Sequence, residues 1–180
     1  MSIATVANVS DSWAQELERI FEEHYQLVYR TAYSLTGSVQ DSEDVLQTIF
    51  LRLLASESPP DLKKEPEPYL YRAAFNLSMT VIRSRTRQVL TNDIEPFDKR
   101  QEENRSTSDH ASDHEGMEMR LHEAIGKLNP AAAQIVILRY AHNKSLAEIA
   151  TLMGTTRSTI AVSLFRSRAR LKKLLRFTGD

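Results

Sequence analysis

Apolar side chains recur along this chain at intervals of three and four residues, the spacing of helices that bury one face. No run alternates apolar and polar residues between turn signals, so strands are not expected. From Trp13 to Thr36, Leu17, Ile20, Phe21, His24, Leu27, Val28, Ala32 and Leu35 share one face, and Gly37 follows as a left-handed stop. Ser38 then caps a second helix, with Asp41 in capping-box position and Glu43 and Asp44 near the positive helix end. Its apolar stripe is Val45, Leu46, Ile49, Phe50, Leu53 and Leu54. Leu51 points away from the stripe's centre, framed by Asp44 and Gln47. Beyond the turn prolines Pro59, Pro60 and Pro66, a third helix is expected from Pro68. It buries Leu70, Ala74, Leu77 and Val81, and turns Tyr69, Arg72, Asn76, Arg83 and Arg87 to the other side.

The sharpest local pattern is SLAEIATLMGTTRSTIAVSLFRSRARLKKLL, residues 145–175. Ser145 and Glu148 form a capping box, Leu146, Ile149, Ala150 and Met153 give a short amphipathic helix, and Gly154 supplies a turn. Thr156 caps the next helix, whose inner face is Ile160, Leu164, Leu171, Leu174 and Leu175. Ser158, Ala161, Val162, Phe165, Arg166 and Ala169 face outward. This is a helix-turn-helix, in which the start of the second helix meets base edges in the major groove. A plain helical hairpin is the simpler alternative, but an outward Phe165 beside Arg166 suits a groove better than a packed core.

Charge and composition sharpen the picture. The net charge of -1 conceals 9 Lys and Arg against 12 Asp and Glu in residues 1–90, 3 against 9 in residues 91–118, and 11 against 3 in residues 119–180. A C-terminal third of that sign suits a phosphate backbone. Residues 91–115 lack periodicity and read as a flexible acidic linker, and residues 1–12 as a loose tail. With no cysteine, the chain has neither disulfides nor thiolate chemistry. No secretory leader and no membrane-length apolar run is visible, which points to the cytoplasm and against membrane insertion. The expected fold is all-α: two small helical domains joined by the linker, the second containing the helix-turn-helix.

Two blocks carry a family resemblance. LNPAAAQIVILRYAHNKSLAEIA, continuing through GTTRSTIAVSLFRSRARLKKLL, resembles the second promoter-binding domain of extracytoplasmic-function sigma factors of RNA polymerase. SVQDSEDVLQTIFLRLLAS is similar to that family's polymerase-binding helix, and PYLYRAAFNLSMTVIRSRTR to its minus-ten-reading helix. The resemblance implies sigma region 2 over residues 13–90, a linker over 91–117 and sigma region 4 over 118–180. It implies a factor without catalysis or cofactor that binds core RNA polymerase and promoter DNA, with an anti-sigma factor as a further possible partner. By analogy, Asp44, Gln47, Phe50, Leu51 and Arg52 meet the polymerase clamp helices, and Tyr69, Arg72, Asn76 and Arg83 meet the minus-ten strand. Arg157, Ser158, Thr159, Val162, Phe165 and Arg166 correspond to the minus-thirty-five reader. Ser158, Ala161 and Ser163 replace the glycine and basic residues common there, which leaves the minus-thirty-five sequence open. Ala133 and Asn143 also depart from the family's frequent charged residue and glycine.

Other functions stay in view. His110 and His114, four apart among Asp109, Asp113 and Glu115, have the spacing of a helical metal pair, but lie in the segment read as linker, so no metal is expected. No phosphate-binding glycine loop or nucleophile arrangement is present. A one-component helix-turn-helix regulator is the main alternative, and it leaves Leu51 and the Arg72–Arg83 face unexplained.

Overall fold

The start of each helix follows from local chemistry. The structure, a computed structural model, describes residues 3–62, 64–92 and 109–177, with side chains described over 12–62, 64–85, 87 and 116–176. The elements are α1 (Ile3–Thr36), α2 (Val39–Leu54), α3 (Pro66–Asn92), α4 (Asp109–Gly126), α5 (Pro130–Tyr140), α6 (Leu146–Leu152) and α7 (Arg157–Phe177), with no strand among the described residues. No helix among them is long and apolar enough to cross a membrane.

Helix α1 begins at Ile3, ten residues before the first periodic position, so most of the segment expected as a loose tail has helical backbone. Nothing from Ile3 to Thr36 is proline or glycine, and extending a helix costs far less than nucleating one. Helix α3 likewise starts two residues earlier than expected, at Pro66. The segment expected as linker falls mainly on residues 93–108, outside the described residues, while its flanks at Thr91–Asn92 and Asp109–Met117 are helical.

Helices α1–α3 enclose a core of Leu17, Ile20, Val28, Val45, Ile49, Leu53, Leu70 and Ala74. Trp13 Nε1 donates to Leu53 O at 3.1 Å, tying α1 to the end of α2. Two buried hydroxyls are satisfied locally, Thr31 Oγ1 donating to Leu27 O at 2.8 Å and Ser42 Oγ to Ser38 O at 2.6 Å. Ser38 accepts from Asp41 N at 3.3 Å, and the Asp41 carboxylate pairs with Arg85 of α3. Leu54, expected in the buried stripe, is instead 53% exposed. It lies on an open depression that it shares with Ala14, Leu17 and Phe21 of α1.

Helices α4–α7 form the second group, around Ile135, Val136, Ile137, Ile149, Ile160 and Leu164. Asn129 caps α5 by accepting from Ala132 N at 2.8 Å, with Pro130 at its first turn. Asn143 adopts φ 53°, the left-handed conformation that asparagine tolerates better than most residues. The core of this group continues across to Leu35 of α1 and to Tyr71, Phe75 and Met79 of α3.

Gly37 and Gly154 both sit at φ 62°. A Cβ at residue 37 meets the His122 ring at 3.0 Å, whereas one at residue 154 meets nothing within 4 Å. Gly154→Ala is therefore expected to cost about 1 kcal/mol of backbone strain alone, and Gly37→Ala about 2 kcal/mol or more, in urea titrations followed by circular dichroism. Equal midpoint shifts would contradict the contact with His122.

Candidate functional site

Exposed chemistry is concentrated in three places. The first is a shallow apolar groove of about 500 Å³ between α1 and α2, lined by Leu17, Phe21, Gln47, Phe50, Leu51 and Leu54 among others. Leu51 is 61% exposed, and Phe21, Tyr25 and Leu54 are exposed with it. Phe21 packs edge-on against Phe50 at 4.9 Å between ring centroids and stacks with Tyr25 at 5.8 Å, which fixes the groove's floor. Asp44 is exposed two turns before Leu51, about 20° around the helix, and puts a charge on the same side of α2. The sequence singled out Leu51 as a lone exposed leucine. It is one member of a patch whose other signal was Leu54, next to Leu51 at helical spacing.

Arg52 departs from its sequence-assigned group. It lines a second depression with Ile49, Tyr69, Ala73, Asn76 and Thr80, on the α2–α3 side rather than in the groove. Tyr69, Arg72, Asn76 and Arg83 are all exposed on one face of α3, spread over roughly 60°. Thr80 belongs to the same face and donates to Asn76 O at 3.0 Å. This face offers guanidinium forks, an amide and a phenol ring, a set able to hold phosphates and stack an unpaired base. Arg72 is already engaged, its Nη2 donating to Leu152 O of α6 at 3.3 Å.

The third place is the helix-turn-helix. Ser145 and Glu148 complete a reciprocal capping box, Ser145 N donating to Glu148 Oε2 at 2.8 Å and Glu148 N to Ser145 Oγ at 3.2 Å. The side-chain and backbone hydrogen bonds from Ser145 hold the Glu148 carboxyl below its ordinary range. Thr156 Oγ1 accepts from Thr159 N at 3.2 Å and opens α7. Ile160 and Leu164 are buried beneath, while Ser158, Thr159, Val162, Phe165 and Arg166 are exposed within roughly 120° on its outer side; Arg157, the first residue of α7, is exposed but lies at the angle of Leu164, away from that group. Phe165 is 74% exposed, with no packing role in this fold. Arg168 has a role within the fold. Its Nε donates to the Tyr140 hydroxyl and its guanidinium lies 5.5 Å from that ring's centroid, so it braces α5 against α7. His110 and His114 fall on α4 backbone, but their side chains lie outside the described residues.

Comparison with known proteins matches these regions to one family. Residues 20–88 match the family model described as Sigma-70 region 2, and residues 118–171 the one described as Sigma-70, region 4. The chain is 27% identical over 161 residues to the ECF RNA polymerase sigma factor SigE of Mycolicibacterium smegmatis, covering 88% of this chain and 61% of that protein. It is 24% identical over 184 residues to the ECF RNA polymerase sigma factor SigW of Bacillus subtilis, covering 92% of this chain and 90% of that protein. Among solved structures, the sigma factor RpoE of Bartonella quintana, crystallised with the anti-sigma factor NepR, shares the fold at a TM-score of 0.57 and 19% identity, over 90% of this chain and 98% of that one.

Proposed function

The chain belongs to the sigma-70 family, in its extracytoplasmic-function group, and from that premise we propose that it binds core RNA polymerase and directs it to promoters through two separate DNA-reading faces. One observation carries this: both family segments occur in order, and each supports an exposed face whose chemistry suits its task. The α1–α2 groove, with Leu51 in its lining and Asp44 two turns away on the same side of α2, is the polymerase-docking surface. The Tyr69, Arg72, Asn76 and Arg83 face of α3, joined by Arg52, holds the minus-ten strand, where phosphate contacts and stacking offset the few kcal/mol that base extrusion costs. The outer side of α7 reads the minus-thirty-five duplex. The chemistry of RNA synthesis stays with the polymerase.

Transcription in vitro with core polymerase on a promoter library tests this reading. Run-off products above those of core alone are expected, and their absence overturns it. A pull-down of core polymerase separates it from a self-sufficient helix-turn-helix regulator, which has no need of the groove.

Within α7, sequence readout belongs to Arg166 and Phe165, and nonspecific attraction to Arg170, Lys172 and Lys173. Arg166 lies about two and a half turns into α7 on its outward face, where an arginine can bond a guanine in bidentate fashion, so Arg166→Ala is expected to lose about 1–3 kcal/mol of discrimination at particular base pairs. Lys172→Ala instead lowers affinity evenly across sequences and reduces the salt dependence. Binding to a randomised minus-thirty-five library at two salt concentrations distinguishes them. A uniform loss in Arg166→Ala with base preferences intact would place the reading face elsewhere.

A further inference from the structure

The two helical groups touch through contacts too specific for a tether. Tyr71 and Phe75, which face away from the N-terminal core, are buried against the C-terminal one. Tyr71 Oη donates to Gln134 O at 3.1 Å, and Lys144 Nζ pairs with Glu67 Oε1 at 2.6 Å. His142 enters this interface from the turn after α5, its Nε2 2.8 Å from Thr31 Oγ1 and its ring edge-on to Tyr71 at 5.9 Å. Because the Thr31 hydroxyl donates to Leu27 O, it accepts from His142, which fixes the imidazole proton on Nε2. In this arrangement Arg72 bonds the end of α6 and lies in a cleft with Gln134 and Leu152.

This geometry conflicts with a promoter. Elements named for positions minus ten and minus thirty-five are about 25 base pairs apart, roughly 85 Å at about 3.4 Å per pair. Here the α3 face instead touches the helix-turn-helix itself, Arg72 Nη2 donating to Leu152 O at 3.3 Å, and α7 is only about 30 Å long, so the two reading faces lie within roughly 40 Å of each other. We propose that the free chain rests in a closed, promoter-incompetent state, with neutral His142 as its latch, so that acidification favours opening. The inhibitory meaning of closure rests on the promoter-reading function proposed above.

The surroundings of His142 set the direction of the pH effect. Burial pushes the ring down to about 4 from its ordinary 6.5; the Arg30 charge on α1 adds to the fall, Glu67 on α3 opposes it, and Lys144 adds again. Opening returns the ring to solvent, so below about pH 6.5 the open state takes up a proton that the closed state refuses. Closure is at full strength above about pH 7 and weakens as the pH falls toward 4. Between about pH 7.5 and 5.5 the closed-to-open ratio falls about tenfold.

The chain has no cysteine, so Ser58→Cys and Lys127→Cys, both at exposed positions, accept a fluorescent donor–acceptor pair. Energy transfer in the full chain is expected to be high at about pH 7.5 and to fall on acidification along the titration of a free histidine. His142→Gln keeps a donor toward Thr31 and is expected to stay closed with the pH response removed. Lys144→Glu, now facing Glu67, shifts the ratio toward open by about tenfold or more, and adding Glu67→Lys restores it. Circular dichroism confirms that each variant is folded. Low transfer in the unsubstituted chain, or indifference to Lys144→Glu, overturns closure; a pH response that survives His142→Gln overturns the latch. Run-off transcription by the same labelled chain separates the premises. Transcripts without closure sink this inference alone, whereas closure without any transcript removes the promoter-reading function and the inhibitory role with it.

Discussion

Combining Asp44→Ala with Leu51→Ala is expected to weaken binding to core polymerase by about 30-fold or more, some 2–4 kcal/mol, while the unfolding midpoint of the isolated chain barely moves. Interface energy concentrates in apolar anchors that become fully desolvated, with flanking groups that exclude water. Leu51 suits that role, projecting from a groove floored by Phe21 and Phe50, and Asp44 supplies a charge two turns away on the same side of α2. Neither side chain fills the N-terminal core, so truncating them opens no cavity. Val39 provides the control. It is also an exposed apolar residue of α2 but does not line the groove, and Val39→Ala should leave affinity unchanged. Fluorescence anisotropy of labelled chain against core polymerase gives the comparison. Equal losses in the control and the double variant would move the docking face away from the groove.

What the sequence made legible, and what it did not, divides along a physical line. Features set within one turn of helix could be read directly: the capping box of Ser145 and Glu148, the left-handed stop at Gly37 and the turn at Gly154. Burial that depends on a single partner was legible too, as with Ile160 and Leu164 under the exposed Phe165. Helix α3 shows where such reading stops. Its Leu70, Ala74, Leu77 and Val81 stripe was apparent, but Tyr71, Phe75, Met79 and Ile82 recur at the same spacing on a neighbouring strip and pack on the C-terminal group. A helix with two adjacent apolar strips serves two partners, and periodicity alone does not say that a second partner exists. The same limit explains Arg52 and Arg168. Their positions on their helices were known, but their neighbours, Tyr69 and Tyr140, come from other elements. Leu54 failed for the opposite reason: its angle suited the stripe, but it lies on the open groove between α1 and α2 and not in the core beneath it.

The second large effect is expected from Ile149→Ala, which should remove minus-thirty-five binding for every sequence rather than change the preference. Ile149 is fully buried on α6, in the cluster that holds Ile160 and Leu164 of α7. Deleting its branched chain loses the transfer energy of the removed atoms and leaves a cavity, together about 2–5 kcal/mol. A helical group of this size has only on the order of 3–9 kcal/mol of stability, so the loss is a large share of the whole. The outward placement of Arg166 and Phe165 depends on α7 resting on that cluster, and loosening it disperses the reading face. Ile149→Val, at about 0.5–1.5 kcal/mol, should retain both fold and binding and so calibrates the scale. Urea titration of each variant, paired with binding to a minus-thirty-five duplex and to core polymerase, makes the comparison. Polymerase affinity should survive Ile149→Ala in large part, because the groove stands on the separate core of Leu17, Ile20, Val45 and Ile49. Duplex binding that persists in an Ile149→Ala chain with a lowered midpoint would show that the DNA-reading face does not depend on this core.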